Sequence, residues 1–133
     1  MIENYAKEND IKNISFIGYY DKKDEPKYIK DSTFMNIYLP WVISHETLLS
    51  NRFYCSLIYK KPMIVNKGTV QGDYCEEYDL GVALENCDGL DKKLEEYLNM
   101  LDQEAYAQRC NNLLKSFIQD YDKFVSIVTD FVK

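Results

Sequence analysis

The residues of this 133-residue chain best placed to do chemistry are Ser50, Asn51 and Arg52. They open the run S-N-R-F-Y-C-S-L-I-Y-K-K-P-M-I-V-N, which reads as a short helix leading straight into a buried strand. Ser50 is a good N-cap, because its hydroxyl can accept one of the unpaired amides at a helix start. Free amides and the positive end of the dipole suit such a helix end to a phosphate. Arg52 in the first turn adds two parallel donors of the kind that grip a diphosphate. Phe53, Tyr54, Leu57 and Ile58 share one helical face. Lys60 and Lys61 suit the last turn, where the dipole is negative. Pro62 stops the helix, and Met63, Ile64 and Val65 form a short apolar run typical of a strand covered on both faces.

Other chemistries find little support. No pair of carboxylates and no nucleophile with an adjacent base stands out. The four cysteines, Cys55, Cys75, Cys87 and Cys110, form no Cys-x-x-Cys pair, and His45 is the lone histidine, so no metal site is expected. Cys55 and Cys110 occupy apolar helical positions and read as small core residues. The net charge of −6 argues against nucleic-acid binding, which needs a basic face. The charge is uneven. Residues 1–70 hold ten Lys/Arg and eight Asp/Glu, whereas residues 71–133 hold six and fourteen. An anionic ligand is therefore expected in the first half, among Arg52, Lys60, Lys61 and Lys67. Charged residues interrupt the amino end where a signal peptide would need an apolar run, and no run is long enough to span a bilayer. The expected compartment is reducing and cytoplasmic.

The length fits one domain with one core. Residues 2–10 read as a polar helix and residues 13–18 as a strand closed by Gly18. Pro26 sits in the first turn of the next helix, whose Tyr28 and Ile29 face inward. Residues 33–39 are the next strand, ended by Pro40, and Trp41, Val42 and Ile43 prolong an apolar stretch. After the helix and strand of residues 50–66 come a short helix at 70–78 and a last strand at 80–84. The carboxyl third is helical. Asp88 and Asp102 are candidate caps, and apolar stripes repeat at three and four, the last through Phe124, Ile127, Val128 and Phe131. All these stripes read as core packing. Alternating strands and helices at this spacing predict an α/β, Rossmann-like parallel sheet of about four strands, with helices on both faces. Ligands of such sheets bind at the carboxyl ends of the strands. That rim includes Gly18-Tyr19, Leu39-Pro40, Asn66-Lys67-Gly68 and the helix start at Ser50, and of these Gly18, Tyr19 and Pro40 join Ser50, Asn51 and Arg52 as the candidate nucleotide-binding residues.

The segment N-R-F-Y-C-S-L-I-Y-K-K-P-M-I-V resembles the late helix-then-strand segment of two-domain GT-B glycosyltransferases, closest to family 4 (group 1) enzymes of bacterial capsular and surface polysaccharides. In those enzymes the segment often reads Asn-Lys, an apolar helix, then Gly-Lys-Pro-(Val/Ile)-Ile. Asn51-Arg52 stands for the first pair and Lys60-Lys61-Pro62-Met63-Ile64 for the last five. The strand ending at Gly18 is similar to the family's Val-x-Phe-x-Gly strand, and Gly81-Val82-Ala83 to a later one. The resemblance implies the nucleotide-sugar-binding part of a glycosyltransferase, with Ser50, Asn51 and Arg52 facing the donor diphosphate and no cofactor beyond that substrate. It implies that the chain is the carboxyl-terminal part of a GT-B enzyme with Met1 an internal start. An amino-terminal domain of the same enzyme, absent here, would then be its partner. The acceptor would lie at the inner face of the membrane, and the bare sheet edge and helix faces would favour a homo-oligomer. One feature departs from the family. Its Glu-x7-Glu motif would fall at Thr47 and Cys55, neither of them acidic, with Glu46 one place away. The donor-sugar contacts therefore do not carry over. The competing expectation is a non-enzymatic α/β interaction module. A flavodoxin-like or receiver-like domain is weaker still, lacking an acidic cluster at a strand end and a Ser/Thr/Gly phosphate run.

Overall fold

A computed structural model describes residues 2–40 and 42–132; Trp41, in the expected apolar stretch, lies outside them. The described chain folds as α1 (Ile2–Glu8), α2 (Glu25–Asp31), β1 (Met35–Asn36), α3 (Asn51–Tyr59), β2 (Met63–Asn66), α4 (Val70–Glu77), β3 (Gly81–Leu84), α5 (Leu90–Met100) and α6 (Gln103–Val132). Short 3-10 turns at Lys22–Asp24 and Ile43–His45 join them. The sheet is parallel, in the order β1-β2-β3, with Met35 opposite Met63 and Met63 opposite Gly81. Each neighbouring pair of strands is joined through a helix, as parallel pairing requires.

Strand alternation divides the sheet into two faces. Ile37, Met63 and Val65 point to one, and are buried with Phe53 and Leu57 of α3, Cys75 of α4, and Tyr106, Cys110 and Leu113 of α6. Ile64 and Leu84 point to the other, where Leu90 of α5 completes a small apolar cavity with them. Tyr97 of α5 meets Phe34 with ring centroids 6.3 Å apart. Helices thus cover both faces, heavily on one side and by α5 on the other. An aromatic cluster locks α6 across the two crossover helices: Phe117 lies 5.7 Å from Tyr54, 5.5 Å from Tyr74 and 6.4 Å from Phe53. At the amino end of β3, the Tyr106 hydroxyl donates to the Leu80 carbonyl at 3.2 Å, and Arg109 pairs with Asp79 at 2.8 Å.

Three strands form among the described residues, not four. Residues 13–18 carry no strand, and Ile14, Phe16 and Ile17 are exposed. Ile14 and Phe16 instead line a shallow cleft with Ala6, Lys7 and Ile11 beside α1. Asp88 does not cap α5. Its N-cap is Gly89, in the left-handed region at φ 64°, which a residue without Cβ reaches at no cost. Asp102 does cap α6, accepting from the amides of Glu104 and Ala105, both at 3.0 Å. Cys110 is buried, whereas Cys55 is only half-buried. The last stripe is not core: Phe124, Ile127, Val128 and Phe131 are all exposed.

Gly81 is where the sheet closes. Its φ of +151° is one that L side chains rarely adopt, and a Cβ there would overlap the backbone of Met63. Gly81→Ala should cost about 2–4 kcal/mol, from backbone strain and overpacking together. Urea unfolding measures this, and a loss below about 0.5 kcal/mol would contradict the close approach. The core also sets an alkaline limit. Burial pushes the Cys75 thiol from its ordinary 9.0 up to about 12, and burial likewise raises Cys110, Tyr97 and Tyr106. The folded chain keeps these protons at a pH where the unfolded chain releases them, so stability is full below their unfolded pKa values and falls as pH rises beyond. Urea midpoints should hold steady below the ordinary thiol pKa of 9.0 and decline above it. A midpoint unchanged far into alkali would refute this.

Candidate functional site

The start of α3 is built as its sequence demands. Ser50 is extended at φ −76° and ψ 158°, and its hydroxyl accepts the Phe53 amide at 3.3 Å. That hydroxyl also donates to Gln71 Oε1 at 2.7 Å, and the Ser50 amide donates to the same oxygen at 2.9 Å. Gln71 lies buried in the first turn of α4. The Val70 amide donates to the Glu46 carbonyl at 2.7 Å. Thr69 caps α4, accepting from the Gly72 amide at 3.0 Å and donating to the Asn66 carbonyl at 2.8 Å. The amino ends of α3 and α4 are therefore tied together, and the Ser50 hydroxyl is committed to protein partners.

Asn51 and Arg52 remain exposed at the helix start. Asn51 joins Tyr19, Tyr20, Lys22 and Glu25 around a cleft of about 400 Å³. Arg52 lines an adjoining cleft of about 170 Å³, which shares Tyr20 and Glu25 with the first and is floored by Ile29 and Met35. The Arg52 guanidinium donates to the Asn36 carbonyl at 3.4 Å, a long contact on an exposed side chain. Tyr19 is 98% exposed, so its ring stands as a free platform at the mouth. Tyr20 meets Tyr28 edge-to-face at 5.3 Å. Gly18 turns the chain into this region at φ 72°.

Of the six residues singled out from sequence, the structure gathers Tyr19, Asn51 and Arg52 around two joined clefts. Gly18 stands next to them in the chain, and Ser50 sits behind them as a cap. Pro40 lines neither cleft; its carbonyl accepts from His45 Nδ1 at 3.0 Å, which gives that histidine a structural partner. Tyr20, Lys22 and Glu25 were not expected in the site. The Tyr19-Tyr20 doublet just ahead of a charged run was the one available signal for them. Gln71 gave none, since its contact with Ser50 spans 21 residues.

Three of the four expected cations lie elsewhere. Lys61 donates to the carbonyls of Lys30 and Ser32, both at 2.7 Å, and Lys60 donates to the Leu57 carbonyl at 2.9 Å. Both follow the carboxyl end of α3, the far end of the helix from the clefts. Lys60 is also not in the helical last turn but in the left-handed region at φ 56°. Lys67 lies at the strand rim between Glu76 at 3.6 Å and Glu85 at 3.8 Å, beside a cleft of about 250 Å³ that Lys93 also lines. Its charge is countered there. No described helix is long and apolar enough to cross a membrane.

Ser50→Ala should cost about 1–2 kcal/mol, because it removes a cap and a partner of buried Gln71. Chemical denaturation checks this, and a cost near zero would mean that the link between α3 and α4 carries no stability. Comparison of the chain with protein-family models, with curated proteins and with solved structures found no match.

Proposed function

We propose that this chain is the nucleotide-sugar-binding part of a GT-B type glycosyltransferase that extends a cell-surface polysaccharide. The observation that carries this reading is the convergence of Tyr19, Asn51 and Arg52 on the joined clefts at the start of α3, with Lys22 beside them. These groups suit the parts of a nucleoside diphosphate sugar. An exposed tyrosine offers a flat surface for a base, since stacking accepts any base. Lys22 and Arg52 supply positive charge to the diphosphate, Arg52 with a bidentate fork. The first turn of α3 adds its dipole. The Glu25 carboxylate accepts hydrogen bonds from ribose or sugar hydroxyls.

In this reading the chain's part in transfer is electrostatic. As the glycosidic bond to the diphosphate breaks, negative charge grows on the leaving oxygens. Arg52 and Lys22 are positioned to stabilise it more in the transition state than in the bound donor. The acceptor and any base belong to another domain of the same enzyme. Because the Ser50 hydroxyl is bonded to Gln71, phosphate contact falls to Asn51 and Arg52.

Isothermal titration of the chain with uridine, guanosine and adenosine diphosphates and their sugar conjugates tests this. One nucleotide series should bind saturably. Arg52→Ala and Lys22→Ala should each weaken it by about tenfold or more, the worth of one charge-assisted contact, with helical content unchanged by circular dichroism. Absence of saturable binding by every nucleotide, or affinity indifferent to both substitutions, would overturn the proposal.

A further inference from the structure

We infer that the outer half of α6 is a homodimerisation helix, whose partner is the same helix of a second copy of this chain. The helix is 30 residues long, but its buried residues, Tyr106, Cys110 and Leu113, all belong to its first half. Phe117 is the last side chain packed against the core. From Ile118 to Val132 every residue is exposed, a stretch of about 22 Å at the helical rise. In proteins most helical stability comes from packing of the apolar face, and this stretch has no such packing within the described chain.

Its sequence supplies a seam. Ile118, Tyr121, Val125, Val128 and Val132 alternate at spacings of three and four, continuing the a/d pattern from Leu114. β-branched residues fill each a position of this stretch, Ile118, Val125 and Val132. Phe124 and Phe131, seven residues apart and in register with the core-packed Phe117, lie beside that seam and widen it. No charged residue interrupts the combined stripe. The exposure is high, 66% at Tyr121 and 91% at Phe131. Summed over these side chains, the apolar surface is on the order of 600–800 Å² per copy, close to the roughly 800 Å² per partner of a standard stable interface. A single patch of that size exceeds what a soluble monomer usually leaves bare.

The stripe is also self-complementary. The three phenylalanines are evenly spaced about Phe124. A two-fold axis near that residue sets Phe124 against its own copy and brings Phe131 alongside the half-buried end of the partner's aromatic cluster, a closed, isologous pair. A lipid surface fits less well. The polar side carries Asp120, Asp122 and Asp130 against one lysine, Lys123, whereas interfacial helices are rich in Lys and Arg. This inference does not depend on the nucleotide reading, because the stripe and the clefts share no residue.

Sedimentation equilibrium of the full chain at roughly 100 µM, where a micromolar Kd is saturated, tests it. The mass should be twice 15.7 kDa. Phe124→Glu and Val128→Glu should each raise the dimer Kd by at least about tenfold, the cost of a charge in an apolar seam. Ile43→Glu, at an exposed site in the loop before α3, should leave the dimer intact. A wild-type monomer at that concentration would overturn the inference and assign the stripe to a different protein surface. A dimer indifferent to both seam substitutions would overturn it equally.

Discussion

The rest of the fold depends on β2 having a strand on each side. A four-residue strand cannot hold itself in place, and in a three-stranded sheet only the middle strand can satisfy both of its edges. Met63 donates to Leu80, and Ile37 donates to Ile64 across the other edge, at 3.0 and 2.8 Å. With both edges bonded, Met63 and Val65 present a fixed apolar pair on which α3, α4 and α6 converge. The absence of a side chain at Gly81 allows the β3 edge to come that close. Gly72 does the same one layer out, where a Cβ would meet the backbone of Asn66. The connection from β2 to β3, residues 67–80, is short, and it is there that glycine brings elements to backbone contact.

That economy of length shapes the candidate site. In open parallel sheets the carboxyl ends of the strands are the natural place for a ligand. Here much of that end is occupied by the chain's own polar groups. Asn66, at the end of β2, turns its amide onto Leu39, donating to the carbonyl at 2.8 Å and accepting from the amide at 2.9 Å. Gln71 takes up Ser50, and Thr69 takes up Asn66. These bonds hold the connection after β1 against α4. Open space lies on both sides of these bonds: beside Lys67, Glu85 and Asn86 after β2 and β3, and on the β1 side between α2, the start of α3 and the segment carrying Tyr19 and Tyr20.

Local signals were legible in the sequence and remote partners were not. Ser50, Pro62 and Asp102 mark boundaries because a cap or a missing amide acts within a turn of itself. The apolar run at Met63 marked a buried strand for a similar reason: strands covered on both faces need no alternation. Residues 33–39 were expected to be one strand, yet the ladder covers only Met35 and Asn36. Beyond Ile37, the side chain of Asn66 takes the place of a backbone partner, and no pattern in either segment announces that. Residues 13–18 had the composition of a strand, yet Ile14 and Phe16 line a cleft beside α1. The stripe through Phe124 and Phe131 was correctly an apolar helical face. A stripe states that a face seeks cover without stating which chain provides it. In the site, the residues of the α3 start were legible from the cap, whereas Lys22 and Glu25 enter only because α2 packs beside α3.

Charge placement separates structure from chemistry more sharply than charge count does. The excess of cations in the first half suggested a broad anion surface near α3. Individually these cations serve different ends. Lys61 holds the carbonyls at the end of α2, and Lys60 folds back on its own helix. Lys67 sits between two glutamates. Arg109, in the acidic half, fastens the turn before β3 through Asp79 and lies 5.6 Å over the Tyr106 ring. Each of these charges is used by the fold through a carbonyl, a carboxylate or a ring. Lys22 and Arg52 differ in that they border clefts without an ion pair among the described residues. Arg52 makes only its long contact to a main-chain oxygen, which a closer anion would displace with little loss, since a stretched and exposed hydrogen bond contributes little. An anion entering the clefts would therefore meet positive charge that the fold does not use elsewhere, alongside the Glu25 carboxylate that lines both, and that charge supports the proposed diphosphate site.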